Sequence, residues 1–470
     1  MENEENKKNK LLEEEGMEFI RQPERQIPVY SKTEVIVVGG GPAGLSAAIA
    51  AVRQGCKTIL IDDGGIIGGT ITKCFMPSMG SVNFAIIKGF FAEFCGKLVE
   101  RGDMIKIEKR SSPLNPEAFQ AVAFDYVEKE GIDLLLHTKV VDVVRHDNTI
   151  DGVLIANKSG LQAVMGDVVV DASGDGDVAA MAGEAADTNG ERQPMTLMFA
   201  VGGADAHRFA GFVRDYPDKN EFSSLGMPIT SDIVEQIKDK VLASVWGFFG
   251  LIKKAREKGE LYLPHESLAV IFLPMDGVVA VNATHVTKLN PLSAKDITLA
   301  EIESRKQMLS VHHFLKNNIP GFENTFLMSS ASRIGVRESR RIICEYVLKQ
   351  DDVMNGRSFH DAVALNGGGI SIHGPGESHT WITLEHPYQI PYRCLLAKVN
   401  KNLLVAGRCL SADHVAHASI RNVPICFATG QAAGTAAALS VRNKVAPKDL
   451  DVKLLQDTLS SHGAVLTESP

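Results

Sequence analysis

The stretch from 34 to 63, EVIVVGGGPAGLSAAIAAVRQGCKTILIDD, constrains the fold of this chain more than any other. VIVV is a continuous β-branched run, the pattern of a strand buried on both faces of a parallel sheet. A glycine turn follows, then AGLSAAIAAVRQG, an alanine-rich segment that reads as a helix stopped by Gly55. KTILIDD reads as a second strand, so the stretch is one βαβ unit. Gly39, Gly41 and Gly44 meet the GxGxxG spacing: the first for a tight turn, the second to admit a diphosphate against the backbone, the third for close helix–strand packing. Pro42 and Ala43 open the helix, whose free N–H groups and dipole favour negative charge. Asp62, 18 residues beyond Gly44, ends the second strand with Asp63, within reach of ribose hydroxyls. This unit alone does not separate NAD from FAD.

Three later segments extend it. IIGGT at 66–70 brings Gly69 and Thr70 for a second close backbone approach, and GDVVVDASGDGD at 166–177 is another buried strand ending in a small-residue turn. NLLVAGRCLS, then PICFATGQAAGTAAALS, reads as a late strand and a helix starting near Gly430, its positive end aimed at the pyrimidine edge of a reduced flavin. A simple two-nucleotide NAD site needs no such distant return, whereas a longer cofactor can use one. Between these segments, EAFQAVAFDYVEKEG reads as a helix and the runs from 132 to 171 as strands, the middle ones a meander. The organisation expected is a polar extension over 1–31, a discontinuous first domain over 32–190 and 400–445, a second domain over 191–399 and a tail over 446–470.

VVGGGPAGLSAAIAA, GGT, DASGDGDVAA, IGVRESRRI and the block from YQIPYRCLL to GQAAGTAAA together resemble the FAD-dependent oxidoreductases of the glutathione-reductase-type superfamily. They are similar in particular to a bacterial family distantly related to fumarate reductase flavoproteins and heterodisulfide reductase flavin subunits. The resemblance implies an α/β fold: a Rossmann-like FAD-binding domain with an inserted α+β substrate domain, and non-covalent FAD. It places Gly39, Gly41 and Gly44 at the diphosphate turn, Asp62 at the ribose, and Gly69 and Thr70 at a second diphosphate contact. Ser173, Gly174 and Asp175 match a second flavin-domain motif, Gly407 and Arg408 a C-terminal flavin segment, and Val140 or Val141 an adenine contact. It supplies no substrate.

Flavin chemistry asks the protein to place a substrate carbon, anchor its polar groups and manage a proton, tasks that suit arginine and histidine. SADHVAHASIRN sets His414, His417 and Arg421 on one face if helical, either touching substrate or flavin or buttressing the turn. SRIGVRESRR offers Arg333, Arg337, Arg340 and Arg341; surface ion pairing is the ordinary role, and Arg337 is the candidate to bind a carboxylate bidentately. GGGISIHGPGESH brings His373 and His379 on a glycine-rich active-site or connecting loop. Cys74, four residues after Thr70, sits where the chain can pass the isoalloxazine; with no partner cysteine close in sequence it reads as an inert buried thiol, a redox-active or flavin-attached thiol being the alternative. The histidines lack metal-ligand spacing, so no metal is expected.

Composition narrows the reading. A net charge of −8 makes a nucleic-acid partner unfavourable, and no apolar run reaches the length of about 18 residues of a membrane span. The ionic N-terminus and seven scattered cysteines without a CxxC pair point to a reducing cytoplasmic setting, with no disulfide framework or iron–sulfur ligand set in the chain. The leading expectation is an FAD-dependent dehydrogenase or reductase exchanging a hydride between flavin N5 and a small organic molecule, conceivably a carboxylate. The alternative is a flavin electron-transfer subunit of a larger redox complex; a tRNA-modifying flavoprotein and a non-catalytic nucleotide module are disfavoured. An external nicotinamide or protein electron donor or acceptor, and a homo-oligomer, stay open.

Overall fold

The computed structural model describes residues 20, 23–81, 83–107, 111–188, 190, 192–224, 227–229, 234, 244–374 and 379–468. The polar helix or tail expected at the start of the chain lies outside the described residues, as does part of the glycine-rich loop after His373. Chain order begins with strand β1 (Val29–Lys32), β2 (Val35–Val38), helix α1 (Pro42–Arg53) and β3 (Thr58–Ile61). Helices α2 (Phe90–Glu100) and α3 (Pro116–Glu130) follow, then β4 (Asp133–Leu135), β5 (Lys139–His146), β6 (Thr149–Asn157), β7 (Gly160–Met165) and β8 (Val168–Asp171).

The predicted βαβ unit is the centre of a five-stranded parallel sheet. The fifth strand, near the C-terminus, is Leu403–Val405; it pairs with β8, which pairs with β2, then β3, then β4. Strands β2, β3 and β8 are buried at every position, as parallel strands covered on both faces must be. Strands β5, β6 and β7 form the expected antiparallel meander, and β1 joins it in parallel beside β7.

The inserted region carries a seven-stranded antiparallel sheet. Its strands in chain order are β9 (Phe199–Gly202), β10 (Phe222–Ser224), β11 (Met227–Pro228), β12 (Ser244–Gly247), β13 (Leu268–Phe272), β14 (Val279–Asn282) and β15 (Phe326–Ser330), with helix α4 (Ala294–Asn318) between the last two. They lie in the order β11-β10-β12-β13-β14-β9-β15. One face packs Phe199, Val201, Val270, Phe272 and Val281 with Phe314 and Leu315 of α4. Residues of opposite parity, Met198, Ala200, Ile271 and Ala280, face away.

The second region is less separate than its expected span of 191–399. Val363, Leu365, Ile370, Tyr388 and Tyr392 belong to the same core as α1 and α2, because the chain from about 348 onward packs back on the first sheet. A hairpin of β16 (Ile370–His373) and β17 (His379–Ile382) projects from it. After β18 (Leu403–Val405) come α5 (His414–Ile420), α6 (Val423–Asn443) and α7 (Val452–Ser461). Residues 446–470, expected as a tail, include α7, whose Leu455 and Leu459 are buried in the main core. No helix among the described residues is long and apolar enough to cross a membrane.

Helix α6 starts at Val423 with a proline in its first turn, a full two turns before Gly430. Gly430 and Gly434 instead lie where α6 crosses α1: a Cβ on either would overlap the carbonyl of Ala43 or Ala47. The helices therefore meet backbone to backbone, closer than side chains of ordinary size allow. Ser46 adds a hydrogen bond to the Phe427 carbonyl at 2.7 Å.

This crossing predicts the sign of two otherwise similar substitutions. Gly96→Ala in α2 meets open space and is expected to stabilise by about 0.5–1 kcal/mol through helix propensity. Gly434→Ala gains the same propensity but strikes a backbone that cannot yield, and a net loss of about 1–3 kcal/mol is expected from overpacking. Thermal unfolding of the two variants, with Tm moving in opposite directions, checks the assignment; equal shifts would contradict it.

Candidate functional site

The C-terminal ends of β2, β3 and β8 open onto a cleft of about 1230 Å³. The βαβ unit contributes Gly39, Gly41, Pro42, Ala43, Asp62 and Asp63 to its wall, and the next segment Gly69 and Thr70. Val140, then Ser173, Gly174 and Asp175, then Gly407 and Arg408 complete the predicted set. Val141 is exposed and not part of the lining, which leaves Val140 as the position facing the cleft. Gly44 and Gly430 do not line it. A Cβ on Gly44 would overlap the Gly39 carbonyl, so it serves helix–strand packing, and Gly430 serves the α1–α6 crossing.

The turn itself is built as its spacing demands. Gly39 takes a φ of +101° and presses against the backbone of Ala172 and Ser173. A Cβ on Gly41 would meet only the Gly69 Cα, at 3.8 Å, so this residue presents bare backbone to the cleft. Helix α1 begins there with no side-chain cap, leaving its first N–H groups for a ligand. An extended diphosphate fits such a cradle without displacing any side chain.

Asp62 is more engaged than its expected ribose role suggests. Its Oδ2 accepts from the Gly40 N–H at 2.7 Å, and its Oδ1 from the Gly64 N–H at 2.7 Å and from Lys73 Nζ. A carboxylate has about four acceptor positions, so one is left for a hydroxyl. Asp63 is paired with Lys73 at 3.0 Å and with Arg333 at 2.6 Å; burial would raise its carboxyl, but Arg333 and Lys73 hold it below the usual range. Ser173 is likewise occupied: its hydroxyl donates to Asp171 Oδ1 at 2.6 Å and accepts from the Asp177 N–H at 3.0 Å, fixing the turn. Asp175 pairs with Arg408 at 2.8 Å and accepts from the Ser339 hydroxyl.

A second cavity, about 1140 Å³, adjoins the cleft. Thr70, Cys74, Val336, Arg408, Arg421 and Val423 belong to both walls, so the two spaces meet at the N-terminal turn of α6. The floor is the outward face of the seven-stranded sheet, with Ser244 and Trp246 of β12, Ile271 of β13 and Asn282 of β14; the hairpin adds His373 and Trp381 from the other side. Three arginines line this cavity and, among the described residues, no aspartate or glutamate does.

Two of the three, Arg337 and Arg421, are half-buried and form no ion pair among the described residues, although Glu338 acts on Arg421 electrostatically. Arg337 donates to the Pro194 carbonyl and the Thr196 hydroxyl, both at 2.6 Å, and Arg421 to the Ser371 carbonyl at 2.9 Å and Gln193 Oε1 at 3.1 Å. Burial, reinforced by Arg421, lowers the guanidinium of Arg337 to about 9; burial lowers Arg421 to about 10. Neutral partners compensate a buried cation only partly, so both groups favour an incoming anion.

The histidines divide. His373 lines the second cavity; burial first, then Arg337 and His379, push its ring well below the usual range, so it is neutral at pH 7. It can offer a hydrogen bond or a flat surface but is a poor proton donor. His414 and His417, expected to act on substrate or flavin, line neither space. His417 is fully buried and its Nε2–H donates to the Arg408 carbonyl at 2.9 Å, so it positions the arginine's backbone. His414 Nδ1 bonds Glu338 at 3.0 Å. Their spacing gives a shared helix face, and that face packs on the chain around Glu338 and Arg408. Cys74 stands on the shared wall with its thiol pushed up to about 11 by burial, and all seven cysteines are free. Lys73, Thr196, Trp246, Asn282 and Trp381 had no signal in the sequence; they reach the site only through tertiary placement.

The family model described as FAD dependent oxidoreductase matches residues 34–459. A dihydrolipoyl dehydrogenase of Trypanosoma brucei brucei is 46% identical over 46 residues, 10% of each chain. A digeranylgeranylglycerophospholipid reductase of Thermoplasma volcanium is 26% identical over 154 residues, 30% of this chain and 39% of the relative. The matches thus span well under half of either relative's length. Among solved structures, a myxobacterial FAD-dependent halogenase of chondrochloren aligns at a TM-score of 0.50 and 12% identity, over 91% of this chain and 78% of that one, a likeness of fold.

Two outcomes follow from this geometry. Gly41→Val places its side chain in open cleft, so the cofactor-free protein is expected to keep its Tm while bound FAD, read as the ratio of flavin to protein absorbance, falls at least about ten-fold. The pair His414–Glu338 predicts a pH profile. Glu338 raises His414, while His414, then His417 and Arg341, outweigh desolvation and lower Glu338 to about 2. A raised histidine contributes below its ordinary 6.5 and loses that contribution as pH rises through its folded value; a lowered carboxylate contributes above its ordinary 4.5. The Tm deficit of His414→Ala is therefore expected to be greatest between about pH 4.5 and 6.5 and to fade in alkali; a deficit independent of pH would refute the pairing.

Proposed function

This chain belongs to the family of FAD dependent oxidoreductases, and from that premise we propose that it exchanges a hydride between flavin N5 and a carbon of a small organic carboxylate held in the second cavity. The observation that carries this reading is the charge of that cavity: three arginines, no acid among the described lining residues, and two half-buried guanidiniums hydrogen-bonded to neutral oxygens. Bound FAD supplies the hydride chemistry itself. The cleft suits it, with bare backbone at Gly41 and Gly69 for the diphosphate, acids at the ribose end and the N-terminal turn of α6 where the two spaces join.

The residues of this chain then bind, orient and exclude water. Arg337 and Arg421 present planar donors that match a carboxylate and desolvate it beside the flavin site. Arg408, neutralised by Asp175, closes the boundary between the cavities and is held in place by His417 from behind. Neutral His373 supplies a hydrogen-bonding edge without adding charge. A flavin subunit that only relays electrons to a protein partner has no use for an anion-attracting pocket at this position, which favours a small-molecule substrate over that alternative.

Anaerobic reduction of the bound flavin, followed by absorbance against NADH, NADPH, hydroxy acids and amines, identifies the reductive half-reaction. With any carboxylate that proves to be substrate, Arg337→Lys is expected to lower kcat/KM by roughly 10- to 100-fold, the worth of one charge-assisted hydrogen bond. FAD content is expected to stay unchanged, because Arg337 does not line the cofactor cleft. Equal losses on charged and uncharged substrates, or a protein that takes up no FAD, would sink the reading.

A further inference from the structure

The sequence holds two tryptophans, Trp246 and Trp381, and both line the second cavity. They come from elements unrelated in the fold, one from the seven-stranded sheet and one from the β16–β17 hairpin. Trp246 stacks on His379 with ring centroids 5.3 Å apart and an interplanar angle of 15°, and His379 stacks on its cross-strand partner His373 at 4.3 Å. Burial, with Arg337 and its neighbours, keeps both imidazoles uncharged at neutral pH. The result is a stack of three rings, with His379 between the other two, from which Trp246 and His373 reach the cavity. Trp381 lies over Gly369, where a Cβ would come within 2.9 Å of its indole, so the hairpin leaves room for this ring.

The aromatic stack and the cationic end are tied together. Gln193 Oε1 accepts from Arg421 at 3.1 Å and from the His373 backbone N–H at 3.3 Å, and Ser371, two residues before His373, accepts from Arg421 through its carbonyl at 2.9 Å. The guanidiniums and the aromatic side chains therefore line one space side by side. An aliphatic acid of a few carbons would leave the aromatic side chains facing water, whereas a ring would cover them and gain offset-stacked contact.

We propose that the carboxylate substrate of this site carries an aromatic ring, its acid group on Arg337 and Arg421 and its ring against Trp246, His373 and Trp381, the aromatic side chains that line the cavity. This inference rests on the carboxylate reading above and narrows it to a substrate class. It requires no covalent step beyond that reading.

The tryptophans provide the test, since fluorescence excited selectively in tryptophan reports from this cavity alone. The FAD-loaded full chain is titrated with benzoate, phenylacetate, acetate, propionate and benzamide, and binding is followed by tryptophan emission and by perturbation of the flavin absorbance. Benzoate or phenylacetate is expected to bind at least about ten-fold tighter than acetate or propionate, and benzamide more weakly than benzoate. Trp246→Leu, read from the remaining tryptophan and from the flavin, is expected to bring the ratio of benzoate to acetate affinity towards one. Acetate binding as tightly as benzoate would overturn the ring while leaving the carboxylate reading intact. Benzamide binding as tightly as benzoate, or no saturable change with any acid, would overturn both.

Discussion

Everything at this site depends on how closely α6 can approach α1. The two helices come from opposite ends of the chain and cross where Gly430 and Gly434 lie on the carbonyls of Ala43 and Ala47. That contact brings the first turn of α6 to the mouth of the cleft whose phosphate end is formed by the first turn of α1. Two helix N-termini, each with a partial positive charge, then face one cleft at different points along its length. Larger side chains at the crossing would separate them, and the cleft would widen before any residue that touches a ligand had changed.

Charge is partitioned between the two spaces. Acids in the cofactor cleft are paired, Asp62 with Lys73, Asp63 with Arg333 and Lys73, Asp175 with Arg408, so that end is close to neutral and polar. The adjoining cavity keeps its guanidiniums on carbonyl, amide and hydroxyl oxygens. Such an arrangement is costly in the empty protein and is relieved when an anion enters. Burial first, and then the charge of Arg337, keeps His373 neutral in this setting.

What could be read from the sequence was local. Strand, glycine turn, helix, strand and acid lie within 30 residues, and each signal follows from backbone sterics or burial pattern, so the βαβ unit was legible. The expected cofactor positions other than Gly44 and Gly430 line the cleft, though they make up only about half of its wall. The start of α6 was misplaced because its glycines were read as a helix opening, although Asn422 and Pro424 carry the stronger signal. His414 and His417 share a helix face, but spacing says nothing of what that face meets; here it is Glu338 and the Arg408 backbone. Arg337 could be singled out but not distinguished by sequence from Arg341, which pairs with Glu338 and Asp187. The tryptophans, Thr196 and Asn282 converge from four separate segments, a juxtaposition no window of sequence contains.

The seven-stranded sheet sorts its residues by parity. Val245, Val270 and Val281 face the packed side, while their neighbours Ser244, Trp246, Ile271 and Asn282 face the ligand space. One set holds the domain together and the other touches whatever enters, and the two interleave one by one along each strand. Substitutions on the open side can therefore accumulate without entering the core. A scaffold of this kind lets descendants of one ancestor exchange their substrates at little risk to their folding, by rewriting every second letter of a few strands.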